Sequence, residues 1–138
     1  MNATILKFGY PETLLRDYDH WVLLLRPAQV TAGSLILAAK SEATNYGALP
    51  QAAFTEQAAI IAALEELLKN KVNHEKLNYL MLMMVDPHVH FHIFPRYQGE
   101  RSIAGLALTD HGWPGPPDLK SAVKLDSATL GRAVELFR

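Results

Sequence analysis

Histidine occupies every second position in the segment 88–96, HVHFHIFPR, as His88, His90 and His92. A β-strand sends alternate side chains to opposite faces, so a strand here would place the three imidazoles on one face and apolar side chains on the other. An α-helix turns by about 100° per residue and would put the middle histidine nearly opposite its neighbours. The segment therefore predicts a strand with an apolar core face and a histidine face.

The composition is that of a globular protein without a general affinity for polyanions. The chain has 138 residues, 49% of them hydrophobic and 20% charged, which suits a single domain spanning 1–138. The formal net charge is −1, so the basic surplus that nucleic-acid or anionic-membrane binding needs is missing. We therefore expect neither nucleic acid nor a membrane as a partner, and any phosphate recognition must be local.

Cysteine is absent, which excludes disulfides and thiolate metal sites. The first residues have no basic segment followed by a long apolar run, so no secretory signal is expected. No apolar run approaches the ~18 residues expected of a membrane span. These features favour a cytoplasmic location.

Short apolar runs closed by turn residues predict the strands of a sheet. Before the long helix these are 4–10 (a strand or an extended lead-in), 13–17, 21–25 and 34–39. The apolar run 77–85 is interpreted as a strand because the turn signal Asp86-Pro87 and the histidine strand follow it at once. The two strands would form a hairpin at the centre of the sheet.

Two helices are expected. Apolar residues recur at helical spacing through 51–69, where no glycine or proline interrupts the pattern, and Pro50 suits the start of this helix. A second helix at the C-terminus would be capped by Asp126 or Ser127. The segments between 97 and 105 and between 111 and 117 are rich in polar residues, glycine or proline and are interpreted as loops.

Three roles compete for the histidines: structural side chains on an edge strand, metal ligands and catalysts. Successive residues on a strand rise by ~3.3 Å, so His88 and His92, four residues apart, would lie ~13 Å from each other, too far for all three imidazoles to share one ion. A pair of them with a distant ligand such as His20, Glu42 or His111 remains open. A neutral imidazole is also a competent nucleophile near pH 7, and a phosphorus centre suits a site rich in hydrogen-bond donors.

The segment 88–94 matches, at every position, the motif His-φ-His-φ-His-φ-φ (φ apolar) of the histidine triad (HIT) family, and residues 20–97 resemble that family more loosely. The third position of the motif is a histidine, His92, as in the hydrolase-like branches of the family. The resemblance implies an α+β fold with an antiparallel sheet of about five strands and a long helix, together with the C-terminal helix expected above. It also implies a homodimer and nucleotide or dinucleotide substrates. We expect no cofactor and no metal.

Residue by residue, the resemblance makes His90 the nucleophile that attacks an α-phosphate and forms a covalent nucleotidyl-histidine. His88 and His92 would orient it and contact phosphate, and Asn78 would help to place the substrate. Arg96, at the end of the strand, is a candidate phosphate-binding residue. Many members carry a Gly/Ser-rich or Gln-bearing loop before the motif, where this chain has Asp86-Pro87. A non-catalytic nucleotide-binding or scaffold protein and a histidine metal-binding protein remain alternatives.

Overall fold

The structure is a computed structural model that describes all residues, 1–138, and it is organised around an antiparallel sheet. Its strands are β1 (Leu14–Asp17), β2 (Trp21–Leu25), β3 (Ala28–Gln29), β4 (Leu35–Ala39), β5 (Lys76–Leu80), β6 (His90–Arg96), β7 (Glu100–Ile103), β8 (Leu106–Thr109) and β9 (Val123–Lys124). The five-stranded sheet has the order β1-β2-β4-β6-β5, and the pairs β3-β9 and β7-β8 stand apart from it. The predicted α+β class and sheet of about five strands are confirmed.

The long helix and the C-terminal helix pack on one face of this sheet. The helices are α1 (Ala3–Lys7), α2 (Gln51–Val72) and α3 (Ser127–Phe137). Pro50 occupies the N-cap of α2, and Asn73 ends the helix in the left-handed conformation. The Asp126 carboxylate accepts the Thr129 N–H and caps α3, as the sequence predicts. Leucines of α2 and β4, Phe137 of α3, and Val89 and Ile93 around β6 share one buried core.

The opposite face of the sheet, which carries His90 and His92, is covered by the N-terminal segment. Ile5 of α1 packs on a small apolar cluster from β2 and β4, with Phe8 and Tyr10 at its edge. The Asn2 side chain accepts the Ile5 N–H at 3.0 Å and donates to the carbonyls of Ala39 and Ser41, each at 2.9 Å. These bonds begin the helix and fix it to the end of β4.

Three sequence predictions about elements are wrong. Residues 3–7 form a helix rather than a strand, because the Asn2 cap and burial of Ile5 decide between two conformations that so short an apolar run allows. Strand β5 ends at Leu80 and lies at the edge of the sheet, so residues 81–89 form a loop in place of a tight hairpin turn. Met83 in this loop has φ 51°, which a strand cannot contain. The segment after Arg96 contains the hairpin β7–β8, which the sequence reading missed.

A buried ion pair joins the end of β6 to the segment that follows β8. The Arg96 guanidinium donates to Asp110 through Nε at 2.8 Å and Nη2 at 3.0 Å, and to the Asn78 side-chain oxygen through Nη1 at 2.7 Å. The side chains of Arg96 and Asp110 are only 4% and 0% exposed. Because the same carboxylate also accepts hydrogen bonds from the N–H groups of Tyr97 and Gly112, it holds the 110–112 turn against the sheet.

None of the helices combines the length and the apolar character that spanning a membrane would require.

Replacement of Asp110 by alanine is expected to destabilise the fold by about 3–5 kcal/mol, because it leaves a buried guanidinium without a counter-charge. Urea unfolding followed by circular dichroism measures the change. The matched control is Glu135→Ala, which removes the exposed partner of Arg138 and should cost less than about 1 kcal/mol. Equal small losses for both variants would show that the Arg96–Asp110 pair contributes little to stability.

Candidate active site

His90 opens strand β6 and is almost fully buried, with a relative exposure of 1%. Its Nδ1 lies 2.7 Å from the backbone carbonyl oxygen of His88. A carbonyl oxygen can only accept a hydrogen bond, so Nδ1 carries the proton and Nε2 keeps its lone pair in the neutral ring. Nε2 has no partner within the chain, which leaves it free to react with a bound molecule.

His92 stands next to His90 on the same face, with 5.0 Å between the ring centroids. Arg26 Nε donates to His92 Nδ1 at 3.3 Å, which assigns the His92 proton to Nε2 in the neutral ring. The pKa of His92 is lowered to about 4, first by burial and then by the charges of Arg26 and His90, while Asp86 acts in the opposite direction. His92 is therefore an uncharged hydrogen-bond donor at neutral pH.

His88 is not part of strand β6, and its ring differs in placement from the other two. Its Nδ1 lies 2.8 Å from the Thr4 hydroxyl, and its Nε2 lies 3.1 Å from a Glu42 carboxylate oxygen. The sequence predicts one strand face for all three histidines, and the structure places only His90 and His92 there. The difference arises because the strand begins at His90, so the alternation of side chains does not extend back to His88.

His90 and His92 line a cleft of about 230 Å³ between the sheet, the N-terminal segment and the 81–89 loop. Phe8 forms one wall, with its ring centroid 5.5 Å from that of His90 and 5.7 Å from that of His92. The loop supplies the opposite wall through residues 82–86. Lys7 and Asp86 form an ion pair at 2.6 Å that joins the two walls. This largely apolar cleft brings the free Nε2 of His90 and the donor of His92 to one small volume.

Asn78 and Arg96 lie on the histidine face but in a different cleft. Asn78 pairs with Phe94 across the β5–β6 ladder, and Arg96 lies four residues beyond His92, ~13 Å along the strand. Both line a second cleft of about 340 Å³ together with Lys76 and the 113–116 segment. The structure therefore brings Asn78 and Arg96 to each other and not to His90.

The remaining metal alternatives lack a ligand set. No group of three or more histidine, aspartate or glutamate side chains is close enough to hold a metal ion. Glu42, considered as a distant ligand, bonds to His88 instead. The backbone N–H of His20 donates to Glu56 on α2 at 2.8 Å, and His111 lies in the exposed turn after β8.

Sequence reasoning missed Phe8, Arg26 and Thr4 as neighbours of the histidines. Phe8 and Thr4 belong to an N-terminal segment whose docking site depends on the whole sheet. Arg26 follows the last residue of β2, where Leu25 pairs with Leu35 and Leu35 pairs with Ile93. The strand order β2-β4-β6 would have located Arg26 beside His92, but that order is not encoded in any local pattern.

Comparison with known sequences is uninformative: no protein-family model matches the chain, and no curated protein matches it either. Solved structures do match. A histidine triad protein from Bradyrhizobium japonicum superposes with a TM-score of 0.72 at 16% identity, covering 99% of this chain and 93% of its own. A hypothetical histidine triad nucleotide-binding protein from Sulfolobus tokodaii gives 0.70 at 16% identity, covering 97% of this chain and 86% of its own.

The diadenosine triphosphate hydrolase of Plasmodium falciparum, solved with cyclomarin A, gives a TM-score of 0.67 at 11% identity and covers 92% of this chain and 74% of its own. These identities are low, but the likeness extends over nearly the whole chain. It agrees with the sequence motif at 88–94 and with the antiparallel sheet of five strands that the resemblance implies. The chain therefore has the fold of the histidine triad proteins.

Proposed function

We propose that this protein is a nucleotide-binding phosphohydrolase or nucleotidyl transferase that acts through a covalent nucleotidyl-histidine on His90. One observation carries the proposal: the hydrogen bond from His90 Nδ1 to the His88 carbonyl leaves an unpartnered Nε2 at the cleft. A neutral imidazole held in this tautomer offers its Nε2 lone pair as a nucleophile without losing a proton first.

In the first step, the Nε2 lone pair of His90 forms a bond to the α-phosphorus, and the bond from phosphorus to the leaving group breaks with its electron pair. The imidazole becomes positively charged, and the His88 carbonyl stabilises that charge through the Nδ1 proton. In the second step, the oxygen of water or another hydroxyl acceptor attacks phosphorus and its proton passes to solvent. The P–N bond breaks, and its electron pair returns to Nε2. The nucleoside monophosphate, or its transfer product, leaves and His90 regains its lone pair.

His92 is proposed to donate its Nε2 proton in a hydrogen bond to a phosphate oxygen. Burial and the Arg26 bond keep this ring neutral and fix its donor, so no reorganisation is needed when charge develops on the phosphate. His88 is proposed to act through its backbone carbonyl, while Thr4 and Glu42 hold its ring. The substrate-binding roles predicted for Asn78 and Arg96 stay predictions, and their mutual bond gives each a structural partner.

Two of the similar structures support a nucleotide as the substrate. One is described as a histidine triad nucleotide-binding protein and another as a diadenosine triphosphate hydrolase. An apolar wall beside a phosphorus-reactive histidine suits a ligand with a flat base and a phosphate.

The second candidate is a protein that binds nucleotides without turning them over. The 82–85 loop favours this alternative, because its side chains (Leu82, Met83, Met84 and Val85) offer no hydroxyl or amide donor to a leaving group. Calorimetry that finds nucleotide affinity, together with no product release, would select this function.

A homodimer is proposed from the resemblance, and the surface that would form its interface lies at strand β5. Strand β5 pairs only with β6, so its outer edge presents unpaired backbone groups. Beside that edge, a groove of about 500 Å³ is lined mainly by apolar side chains, including Phe54, Ile61, Tyr79 and Phe91. A second copy could continue the sheet at β5 and cover this groove at the same time.

Replacement of His90 by alanine is expected to reduce product release by at least about 1000-fold, because no other group supplies the nucleophile. Turnover is measured on a panel of nucleoside phosphoramidates, adenylyl-lysine-type compounds and dinucleoside polyphosphates. His111→Ala, which removes an exposed imidazole outside the cleft, is the control and should keep full activity. If the His90 variant remains folded and as active as the control, the proposed mechanism is wrong.

Sedimentation equilibrium is expected to give twice the monomer mass of 15.3 kDa. Ile61→Glu places a charge in the groove and should shift the equilibrium towards monomer because the buried charge would have no partner. Arg132→Glu on the exposed surface of α3 serves as the control. A wild-type chain that stays monomeric at high micromolar concentration would contradict the dimer.

A further inference from the structure

Arg26 places a guanidinium group in the histidine cleft. It follows β2 directly, and its side chain lines the cleft together with His90 and His92. Nε donates to His92 at 3.3 Å, Nη1 donates to the Ala28 carbonyl, and Cζ lies 5.6 Å from the Phe94 ring centroid. These contacts fix the plane of the guanidinium and leave Nη2 without an acceptor in the chain.

The charge of Arg26 is not compensated by the protein. Arg26 takes part in no ion pair, and burial lowers its pKa, which shows that its charged form is partly desolvated. The one acidic side chain that lines the same cleft, Asp86, is neutralised by Lys7 at 2.6 Å. A fixed cation with a free donor and no counter-ion is preorganised for an oxyanion, because a bound anion would replace the lost hydration.

The position of Arg26 shows which part of a ligand it would meet. His92 lies between Arg26 and His90, since its ring contacts the guanidinium on one side and the His90 ring on the other. A phosphate within reach of His90 Nε2 therefore does not occupy the place in front of Arg26. A ligand that reaches both His90 and Arg26 would therefore meet them with two different groups.

We propose that Arg26 binds a second oxyanion of the substrate, a phosphate or a carboxylate, adjacent to the phosphate that His90 attacks. The proposal rests on the proposed function for the role of His90, but not on a covalent step. Under this proposal, the substrate is a compound that carries two neighbouring anionic groups. The proposal also separates Arg26, a substrate-binding residue, from Arg96, whose guanidinium is occupied by Asp110 and Asn78.

The test measures equilibrium binding of three probes by calorimetry: methylphosphonate with one anionic group, methylenediphosphonate with two phosphonates, and phosphonoacetate with a phosphonate and a carboxylate. Wild-type protein should bind at least one two-anion probe about 10- to 100-fold more tightly than methylphosphonate, as expected for a charge-assisted hydrogen bond. The tighter of the two identifies the second group. Arg26→Gln should abolish this advantage and change methylphosphonate binding by less than about 3-fold, because only the second contact is lost.

Two further variants keep the result interpretable. Arg26→Lys retains the positive charge and should keep part of the advantage. Arg132→Gln removes one charge from the exposed surface of α3 and should change no affinity, which controls for general electrostatics. If Arg26→Gln weakens all three probes equally, Arg26 only orients His92 and the proposal is wrong. Wild-type protein that binds the three probes equally, or none of them, also overturns it.

The outcome is independent of the proposed catalytic cycle. None of the probes has a leaving group that His90 could displace easily, so their binding does not depend on turnover. A protein that forms no nucleotidyl-histidine but shows the Arg26-dependent preference would retain the oxyanion site and lose the proposed function.

Discussion

The candidate site depends on one hydrogen bond, from His90 Nδ1 to the carbonyl oxygen of His88. That carbonyl lies just outside strand β6, which begins at His90, and it accepts no backbone hydrogen bond. The neighbouring Val89 carbonyl accepts the Ala39 N–H at 3.0 Å, and the Val89 side chain is fully buried. Together these contacts hold the backbone in place where the chain enters β6. The His88 carbonyl therefore keeps the proton of His90 on Nδ1 and leaves the lone pair on Nε2.

The histidine face is made into a cleft by a segment far away in sequence. The Asn2 cap and Ile5 fix α1 on the sheet, Thr4 reaches His88, and Phe8 contacts the rings of His90 and His92. The resulting wall lowers the local dielectric constant, which strengthens hydrogen bonds and charge interactions inside the cleft. The same burial favours the neutral form of His92 and partly desolvates Arg26, a cation without a counter-ion.

Local sequence patterns predicted the parts of the fold that depend on local periodicity. The alternation in 88–96 placed His90 and His92 on one face and buried Val89 and Ile93 on the other. The pattern could not predict that the strand begins at His90, because that limit is set by pairing with β4. It also could not predict α1, whose five residues are too short to specify a helix without the Asn2 cap and the sheet. Arg26 meets His92 through the strand order, which is a property of the whole chain.

The most direct test of the account is to locate the imidazole protons by long-range ¹H–¹⁵N NMR over a pH titration of the ligand-free protein. The account predicts that neutral His90 carries its proton on Nδ1 and neutral His92 on Nε2. It also predicts that His92 stays uncharged until the pH approaches its pKa of about 4. A neutral His90 ring with its proton on Nε2, or a His92 ring already charged at pH 6, would contradict it.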